Sequence, residues 1–210
     1  MFYPLLIDLR DRRVLVVGGG EVAERKADSL LEAGANVTVV APNLTERLQT
    51  LADAKSIQVH RRRFEVSDLE GMLFVISATD EKHTQETVAA AARDRNILVN
   101  TVDTPALCDF IVPAVIRRGD VVVAISTSGK SPALSAALRA KLEGVVTPDT
   151  ARAARILGEI RKEVHERFAL PDQRKDAFEH IVNSGILDWI AESDDQTALK
   201  RVRGIIEKLS

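Results

Sequence analysis

The fold of this chain is decided by the stretch Val16-Val17-Gly18-Gly19-Gly20-Glu21-Val22-Ala23. It has the spacing G-x-G-x-x-A, follows the β-branched run Arg13–Val17 and opens an amphipathic segment, Glu21–Ala33, which Gly34 ends. Between a strand and a helix, such glycines permit a tight turn and let backbone amides approach a diphosphate. The positive end of the helix dipole favours the same anion. The stretch therefore predicts a dinucleotide-binding turn; the alternative is a tight strand-to-helix turn without a ligand.

Strand and helix patterns alternate around and after this turn. The predicted strands are Arg13–Val17, Asn36–Val40, Ile57–His60, Met72–Ser77 and Ile97–Asn100. The predicted helices between them are Glu21–Ala33, Leu44–Leu51 and Asp80–Arg95. Such alternation predicts an α/β domain of the Rossmann type, a doubly wound parallel sheet with a ligand crevice at the carboxyl ends of its strands.

The pattern changes near residue 113. The extended runs Phe110–Arg117 and Val121–Ser126 flank Arg118-Gly119-Asp120 and predict a β-hairpin. A helix follows, with Ser131 as its N-cap and Pro132 in its first turn. From Thr147 onward only helical patterns remain. We therefore expect a dinucleotide-binding domain at 1–112, a hairpin and helix segment at 113–146, and a small all-helical domain at 147–210.

Composition narrows the partners and the location. A net charge of −2 gives no basic surplus for nucleic acid. No run approaches the ~20 apolar residues of a membrane helix, and charges follow closely on the short apolar start, so no signal peptide is expected. We expect a cytoplasmic protein that binds neither nucleic acid nor a membrane.

Neither the single cysteine nor the histidines suggest a bound metal. Cys108 cannot form an internal disulfide or a multi-cysteine metal site, and it fits a reducing compartment. We expect a small buried side chain there, with a reactive thiol as the alternative. The four histidines lack metal-ligand spacing.

Residues after the second and fourth strands should flank the glycine turn. An acid usually follows the second strand of an NAD-binding domain and holds the ribose. This chain instead reads Ala41-Pro42-Asn43, with no arginine for the 2′-phosphate of NADP. Asn43 could bond a ribose hydroxyl, which favours NAD without deciding between NAD and NADP. Thr79 and Asp80 either contact the cofactor or cap the next helix. The predicted cofactor-binding residues are Gly18, Gly19, Gly20, Glu21, Val22, Ala41, Pro42, Asn43, Thr79 and Asp80.

The loop after the fifth strand supplies the catalytic candidate. Asp103 is the only carboxylate between Asn100 and Leu107. At the carboxyl edge of the sheet it could accept a proton while hydride leaves to a nicotinamide. The alternative is a turn-forming aspartate before Pro105.

Basic residues dominate the hairpin and the helix that follows. Between Phe110 and Leu142 there are five Arg or Lys against one acid, Asp120. This bias would suit a polycarboxylate substrate; the alternative is a solvated surface. The hydroxyl-rich loop 126–131 precedes a helix N-terminus and could anchor a carboxylate. The predicted substrate-binding residues are Arg117, Thr127, Ser128, Lys130 and Ser131.

Longer stretches resemble the precorrin-2 dehydrogenase family, a module that also forms the N-terminal part of siroheme synthase. They are Phe2–Leu9, Val14–Ala27, Ala78–Asp80, Asn100–Asp103, Phe110–Ala114 and Ser126–Leu134. The resemblance runs from residue 2 to about 145. It implies NAD-dependent oxidation of precorrin-2 to sirohydrochlorin in siroheme biosynthesis. In many members ferrochelation follows, with Fe2+ as a substrate.

The resemblance also assigns roles. The family's central acid–base aspartate, used in both activities, corresponds to Asp103. A serine that is phosphorylated in some members is Thr127 here, so that modification is not carried over. Members are homodimers joined through residues near 113–147, and the helical tail closes over the tetrapyrrole. The alternative function is a non-catalytic NAD(H)-sensing Rossmann module, although such modules usually keep the acid after the second strand.

Overall fold

The protein is described from a computed structural model, in which residues 2–209 can be described. The chain forms two compact units, one ending at Val112 and one beginning at Pro113. The outer ends of the first and last predicted domains, Met1 and Ser210, lie outside the described residues. A separate segment 113–146 stays a prediction.

The first unit is built on a parallel sheet of five strands in the order β3-β2-β1-β4-β5. The strands are β1 Arg13–Val17, β2 Asn36–Val40, β3 Gln58–His60, β4 Phe74–Ser77 and β5 Leu98–Thr101. Its helices are α1 Glu21–Glu32, α2 Glu46–Asp53 and α3 Lys82–Arg93. The chain winds outward from β1 in both directions, so the carboxyl ends of β1 and β4 form a switch point. The predicted doubly wound Rossmann fold is confirmed.

Alternate residues of β1 enter two separate cores. Val14 and Val16 pack in a cluster with Ala23 and Ala27 of α1. Leu15 packs in a second cluster with residues of α3, among them Val88. Because both faces of the strand are covered, the run is apolar throughout instead of alternating.

Several predicted boundaries differ from the structure. Helix α2 begins at Glu46, since Thr45 accepts a hydrogen bond from Leu48 N and caps it. Helix α3 begins at Lys82 after Glu81, so the alternative role of Thr79 or Asp80, capping this helix, is wrong. Thr79 Oγ1 instead accepts a hydrogen bond from Glu81 N over 3.3 Å, which holds residues 79–81 in a turn.

The second unit begins with a short antiparallel hairpin. Strands β6 Ala114–Arg118 and β7 Val121–Ile125 pair with Arg118 opposite Val121. The turn between them contains Gly119 at φ +55°, a left-handed conformation that glycine adopts without strain. The predicted first run began too early, because Phe110 packs edge-to-face on Phe74 and its carbonyl accepts a hydrogen bond from Asn100 Nδ2.

Helices form the rest of the second unit. They are α4 Pro132–Glu143, α5 Pro148–Glu159, α6 Arg161–Arg167, α7 Pro171–Asn183, α8 Ile186–Trp189 and α9 Asp195–Glu207. Ser131 accepts a hydrogen bond from Leu134 N and caps α4 as the sequence predicts. Helices α5 to α9 share one apolar core that includes Ile156, Ile181 and Val202. No helix within residues 2–209 is both long enough and apolar enough to cross a bilayer.

Candidate functional site

A cleft of about 800 Å³ opens at the carboxyl edge of the parallel sheet. The loops that follow all five strands of the sheet line it. The structure brings together in this one cleft all ten residues predicted to bind a cofactor and the catalytic candidate: Gly18, Gly19, Gly20, Glu21, Val22, Ala41, Pro42, Asn43, Thr79, Asp80 and Asp103.

Two of the three glycines are required by the protein's own packing. Gly18 has φ +131°, and a side chain there would overlap the carbonyl of Ala78. A side chain at Gly19 would overlap the carbonyl of Asn43. Gly18 N also donates to Val40 O over 3.0 Å, which fixes the turn against β2. These two positions let the loops after β1, β2 and β4 approach one another closely.

Gly20 differs because its small size is not required by packing within the described part of the chain. A Cβ there would meet no atom of residues 2–209 within 4 Å. Gly20 is also the N-cap of α1, and no side chain of residues 2–209 caps the amides of the first turn. Open space and uncapped amides at a helix N-terminus are what the diphosphate of a dinucleotide requires. The site therefore fits a nicotinamide dinucleotide.

The cleft also contains residues that the sequence did not single out. Ala41 N donates to His60 O over 3.2 Å, which ties the end of β2 to the end of β3. Arg62, Arg63 and Phe64 follow β3 and line the cleft. The position of these residues directly after a predicted parallel strand could have indicated them, because the loops after neighbouring parallel strands lie at the same edge of the sheet.

Arg62 is fixed by a buried carboxylate. Asp68 is 5% exposed and accepts hydrogen bonds from Arg62 Nη1 at 2.8 Å and Nη2 at 2.7 Å. Glu65 N donates to it over 2.9 Å, and His60 Nδ1 lies 2.9 Å away. Burial alone would raise the pKa of Asp68, but the hydrogen bonds from Arg62, Glu65 N and His60 outweigh it and lower the pKa to about 2.

The catalytic candidate lies in an exposed turn. Asp103 has φ +58°, a left-handed conformation that aspartate tolerates better than most residues. Within residues 2–209 its carboxylate has no hydrogen-bond or ion-pair partner. The conformation agrees with the turn-forming role, and the unpaired carboxylate in the cleft agrees with the acid–base role, so both remain open. The catalytic role stays a prediction.

The Asp103 loop is held from both sides. Cys108 Sγ accepts a hydrogen bond from Thr101 N at 3.2 Å and donates to Thr101 O at 3.1 Å. Thr104 Oγ1 donates to Gln85 Oε1 over 3.0 Å, and Gln85 Nε2 donates to Thr79 O over 2.6 Å. The half-buried thiol is thus used inside the loop. Gln85, which is 7% exposed, had no signal in the sequence because Thr104, one of its two partners, is 19 residues away in the chain.

The five predicted substrate-binding residues belong to the second unit. Arg117 and Lys130 are exposed, and neither has an ion-pair partner in the described part of the chain. Thr127 Oγ1 donates to Ser131 O at 3.0 Å and accepts from Ser131 N at 2.9 Å. Ser128 has φ +55°. The Thr127 and Ser131 hydroxyls are therefore already engaged in holding the loop, and substrate binding by these residues remains a prediction.

The fold and the cleft define a dinucleotide-binding protein of the Rossmann class. Residues 5–114 match the family described as putative NAD(P)-binding, and the chain belongs to that family. Residues 118–144 match a second family, described as sirohaem biosynthesis protein central.

Curated relatives and a solved structure agree with these matches. A siroheme synthase of Photorhabdus laumondii is 38% identical over 99% of this chain and 44% of its own length. A siroheme synthase of Methylococcus capsulatus is 42% identical over 86% of this chain and 38% of its own length. The chain thus spans less than half the length of these relatives.

The structure of SirC, precorrin-2 dehydrogenase, superposes with a TM-score of 0.75 and 26% identity, covering 99% of this chain and 98% of that one. The resemblance to the precorrin-2 dehydrogenase family is confirmed.

Within residues 2–209, no three His, Cys, Asp or Glu side chains are grouped to hold a metal ion.

Proposed function

We propose that this chain is an NAD-dependent precorrin-2 dehydrogenase, which oxidises precorrin-2 to sirohydrochlorin in siroheme biosynthesis. The observation that carries the proposal is the single cleft in which the open Gly20 turn lies together with the carboxylate of Asp103, which is unpaired within residues 2–209. The match to the structure of SirC and the identity with siroheme synthases support the same activity.

Different residues of the cleft would bind different parts of the cofactor. The amides after Gly20, in Glu21 and Val22, would hold the diphosphate, because the helix end leaves them uncapped. Asn43, after β2, would bond the adenosine ribose. Thr79 and Asp80, after β4, would lie toward the nicotinamide. Bound NAD supplies the hydride acceptor.

Asp103 would complete the oxidation. Precorrin-2 loses a hydride and a proton when it becomes sirohydrochlorin, so a base must accept the proton. The carboxylate of Asp103 is exposed and unpaired in the described residues, and it can accept that proton without first breaking an ion pair.

The substrate would be bound through its carboxylates. Arg117 and Lys130 are the exposed cations predicted for this role, and Ser128 lies two residues before Lys130. Because Thr127 and Ser131 already hydrogen-bond within their loop, they would shape the loop around the substrate. Insertion of Fe2+ into sirohydrochlorin is the second activity we propose, with the metal as a substrate and Asp103 accepting the pyrrole protons.

We further propose that the protein is a cytoplasmic homodimer and that segment 113–146 joins the subunits. Helix α4 supports this, since Leu134 and Leu138 are 51% and 39% exposed and Val145 just beyond it is 73% exposed. Adjacent exposed apolar side chains of this kind favour burial against a partner.

The proposal is tested with a two-step assay on the full chain. Absorbance should report sirohydrochlorin formation from precorrin-2 and NAD, and then metal insertion after Fe2+ is added. A folded protein that binds NAD and forms no sirohydrochlorin would overturn the dehydrogenase and favour the NAD(H)-sensing alternative. Sirohydrochlorin formation without metal insertion would remove only the second activity.

A further inference from the structure

We propose that the adenosine end of the cleft also binds a phosphorylated ribose, so that the chain takes NADP as well as NAD, with Arg63 contacting the 2′-phosphate. This inference rests on the proposed dinucleotide site and concerns its selectivity. The inference is based on Arg62 and Arg63, the two arginines after β3. The sequence analysis assigned neither residue to a site, but both line the cleft.

The end of β2 lacks the group that would exclude NADP. A carboxylate at this position bonds both ribose hydroxyls of NAD and repels a 2′-phosphate. Here the cleft is lined instead by Ala41, Pro42 and Asn43. No negative charge on this loop opposes a phosphate, and an amide can bond either form of the ribose.

The charges that line the cleft are unevenly distributed. Its arginines follow β3, beside the end of β2. A third cation, Lys82, follows β4, and the carboxylates follow β1, β4 and β5. They are Glu21 after β1, Asp80 and Glu81 after β4, and Asp103 after β5. The arginines are thus the cations that follow the strand next to β2, where the adenosine ribose would lie, and the Arg63 guanidinium reaches from there to Glu81.

The two arginines are not equivalent. Arg62 donates to both carboxylate oxygens of Asp68 and to Arg63 O, so its charge is compensated inside its own loop. The Arg63 side chain is 83% exposed and has one long ion pair, from Nη1 to Glu81 Oε1 at 3.6 Å. Arg63 is thus the arginine that can turn to a ligand.

A 2′-phosphate would compete successfully for Arg63. Phosphate carries more charge than a carboxylate, and its oxygens accept the paired donors of a guanidinium at short distance. The exposed pair with Glu81 contributes little to stability at 3.6 Å, so exchanging it costs little. Glu81 therefore tunes this selectivity by holding Arg63 when no phosphate is present.

The test is direct binding of NAD and NADP to the full chain, measured by calorimetry. The readout is the ratio of the two dissociation constants, NADP over NAD. For the wild type we expect a ratio below about ten. Arg63→Ala should raise it at least about fivefold, the effect of one charge-assisted hydrogen bond in an exposed site. Glu81→Gln should lower it, because Arg63 is released.

Arg61→Ala is the matched control. Arg61 is also exposed, follows the same strand and carries the same charge, but it does not line the cleft. We expect its ratio to equal that of the wild type. Competition by 2′,5′-ADP against 5′-AMP should show the same order of variants, since only the former carries the phosphate.

The outcomes separate this inference from the proposed function. NAD binding with NADP weaker by more than about a hundredfold would overturn the inference and leave the dehydrogenase. Equal ratios of the two dissociation constants in the Arg63 and Arg61 variants would also overturn the inference. The 2′-phosphate would then depend only on the net positive charge of the loop and not on a contact with Arg63. If neither nucleotide binds the folded chain, both proposals are overturned.

Discussion

Gln85 accepts a hydrogen bond from Thr104 Oγ1 at 3.0 Å and thereby joins helix α3 to the loop that carries Asp103. The same amide donates to Thr79 O at 2.6 Å, so a single buried side chain connects the loops after β4 and β5. One of these loops is proposed to contact the nicotinamide and the other to supply the base. Gln85 is therefore placed to set the distance between them.

We expect Gln85→Leu to lower kcat about tenfold or more while changing the dissociation constant of NAD far less, because misplacement of a base affects the reaction more than binding. Loss of two buried hydrogen bonds should also cost about 1–3 kcal/mol of unfolding free energy. Thr104→Val removes only one of the bonds and should give a smaller loss of kcat. Equal kcat in wild type and Gln85→Leu would show that the connection is only structural.

Gly20→Asp should separate folding from cofactor binding. Position 20 is an extended N-cap with no atom near its missing Cβ, and aspartate is a favoured N-cap residue. The melting temperature without ligand should stay equal or rise. NAD should bind at least about tenfold more weakly, since a carboxylate would occupy the place of the diphosphate.

The measurement for Gly20→Asp is a thermal melt with and without NAD, because a ligand that binds only the folded state raises the melting temperature. Gly18→Ala is the contrasting variant and should destabilise the protein even without NAD, since its Cβ would overlap Ala78 O. An NAD-induced rise in Gly20→Asp as large as in the wild type would refute the placement of the diphosphate.

Asp103→Asn should abolish oxidation of precorrin-2 while NAD binding and stability are retained. The carboxylate has no hydrogen-bond or ion-pair partner within residues 2–209, and asparagine tolerates the left-handed backbone at φ +58°. Turnover should fall by at least about a hundredfold, the usual worth of a general base. Asp11→Asn is the matched control, because Asp11 is also exposed and has φ +60°. Wild-type turnover in Asp103→Asn would leave Asp103 with the turn-forming role alone.

Acid stability should depend on Asp68. Its pKa is lowered to about 2 in the folded protein, so the ionised carboxylate stabilises the fold above its unfolded pKa near 4. This contribution, on the order of 2 kcal/mol, should be present at neutral pH and lost as the pH falls from about 4 through about 2. We expect urea unfolding of wild type and Asp68→Asn to differ at pH 7 and to converge toward pH 2.

Asp8→Asn is the control for that series. The pKa of Asp8 is also lowered to about 2, first by the side-chain hydrogen bond from Arg10, but this pair is exposed to solvent. We expect no measurable change in the unfolding midpoint, because exposed ion pairs contribute little. A pH-independent difference between wild type and Asp68→Asn would mean that the charge of Asp68 is not what stabilises the loop.

In the helices of the second unit, Arg152→Lys should be destabilising although the positive charge is kept. The guanidinium donates to Ser193 O at 2.6 Å, to Ile190 O at 3.2 Å and to Asp149 at 2.9 Å, and a lysine cannot reproduce this fork. We expect a loss of about 1–3 kcal/mol in urea unfolding. Arg155→Lys, whose partners are exposed carboxylates, should lose less. A larger loss in Arg155→Lys would argue against the backbone contacts as the cause.

The sequence predicted those parts of the fold that depend on neighbouring residues. The bounds of β1 and β2 were correct, because β-branched runs, a glycine turn and a glycine stop are local signals. The predicted start of α3 was wrong, because the Thr79 hydroxyl accepts a hydrogen bond from Glu81 N and holds these residues in a turn. No local sequence pattern indicates that turn. Arg63 was missed because its place in the cleft depends on β3 lying beside β2.

The chain has one tryptophan, and its position decides what fluorescence can report. Trp189 lies in the second unit, and Arg201 Cζ lies 4.3 Å from the centre of its ring. Indole emission therefore follows the melting of that unit, whereas circular dichroism averages over both. If the two signals change at the same denaturant concentration, the units unfold as one cooperative body; if they separate, each has its own stability.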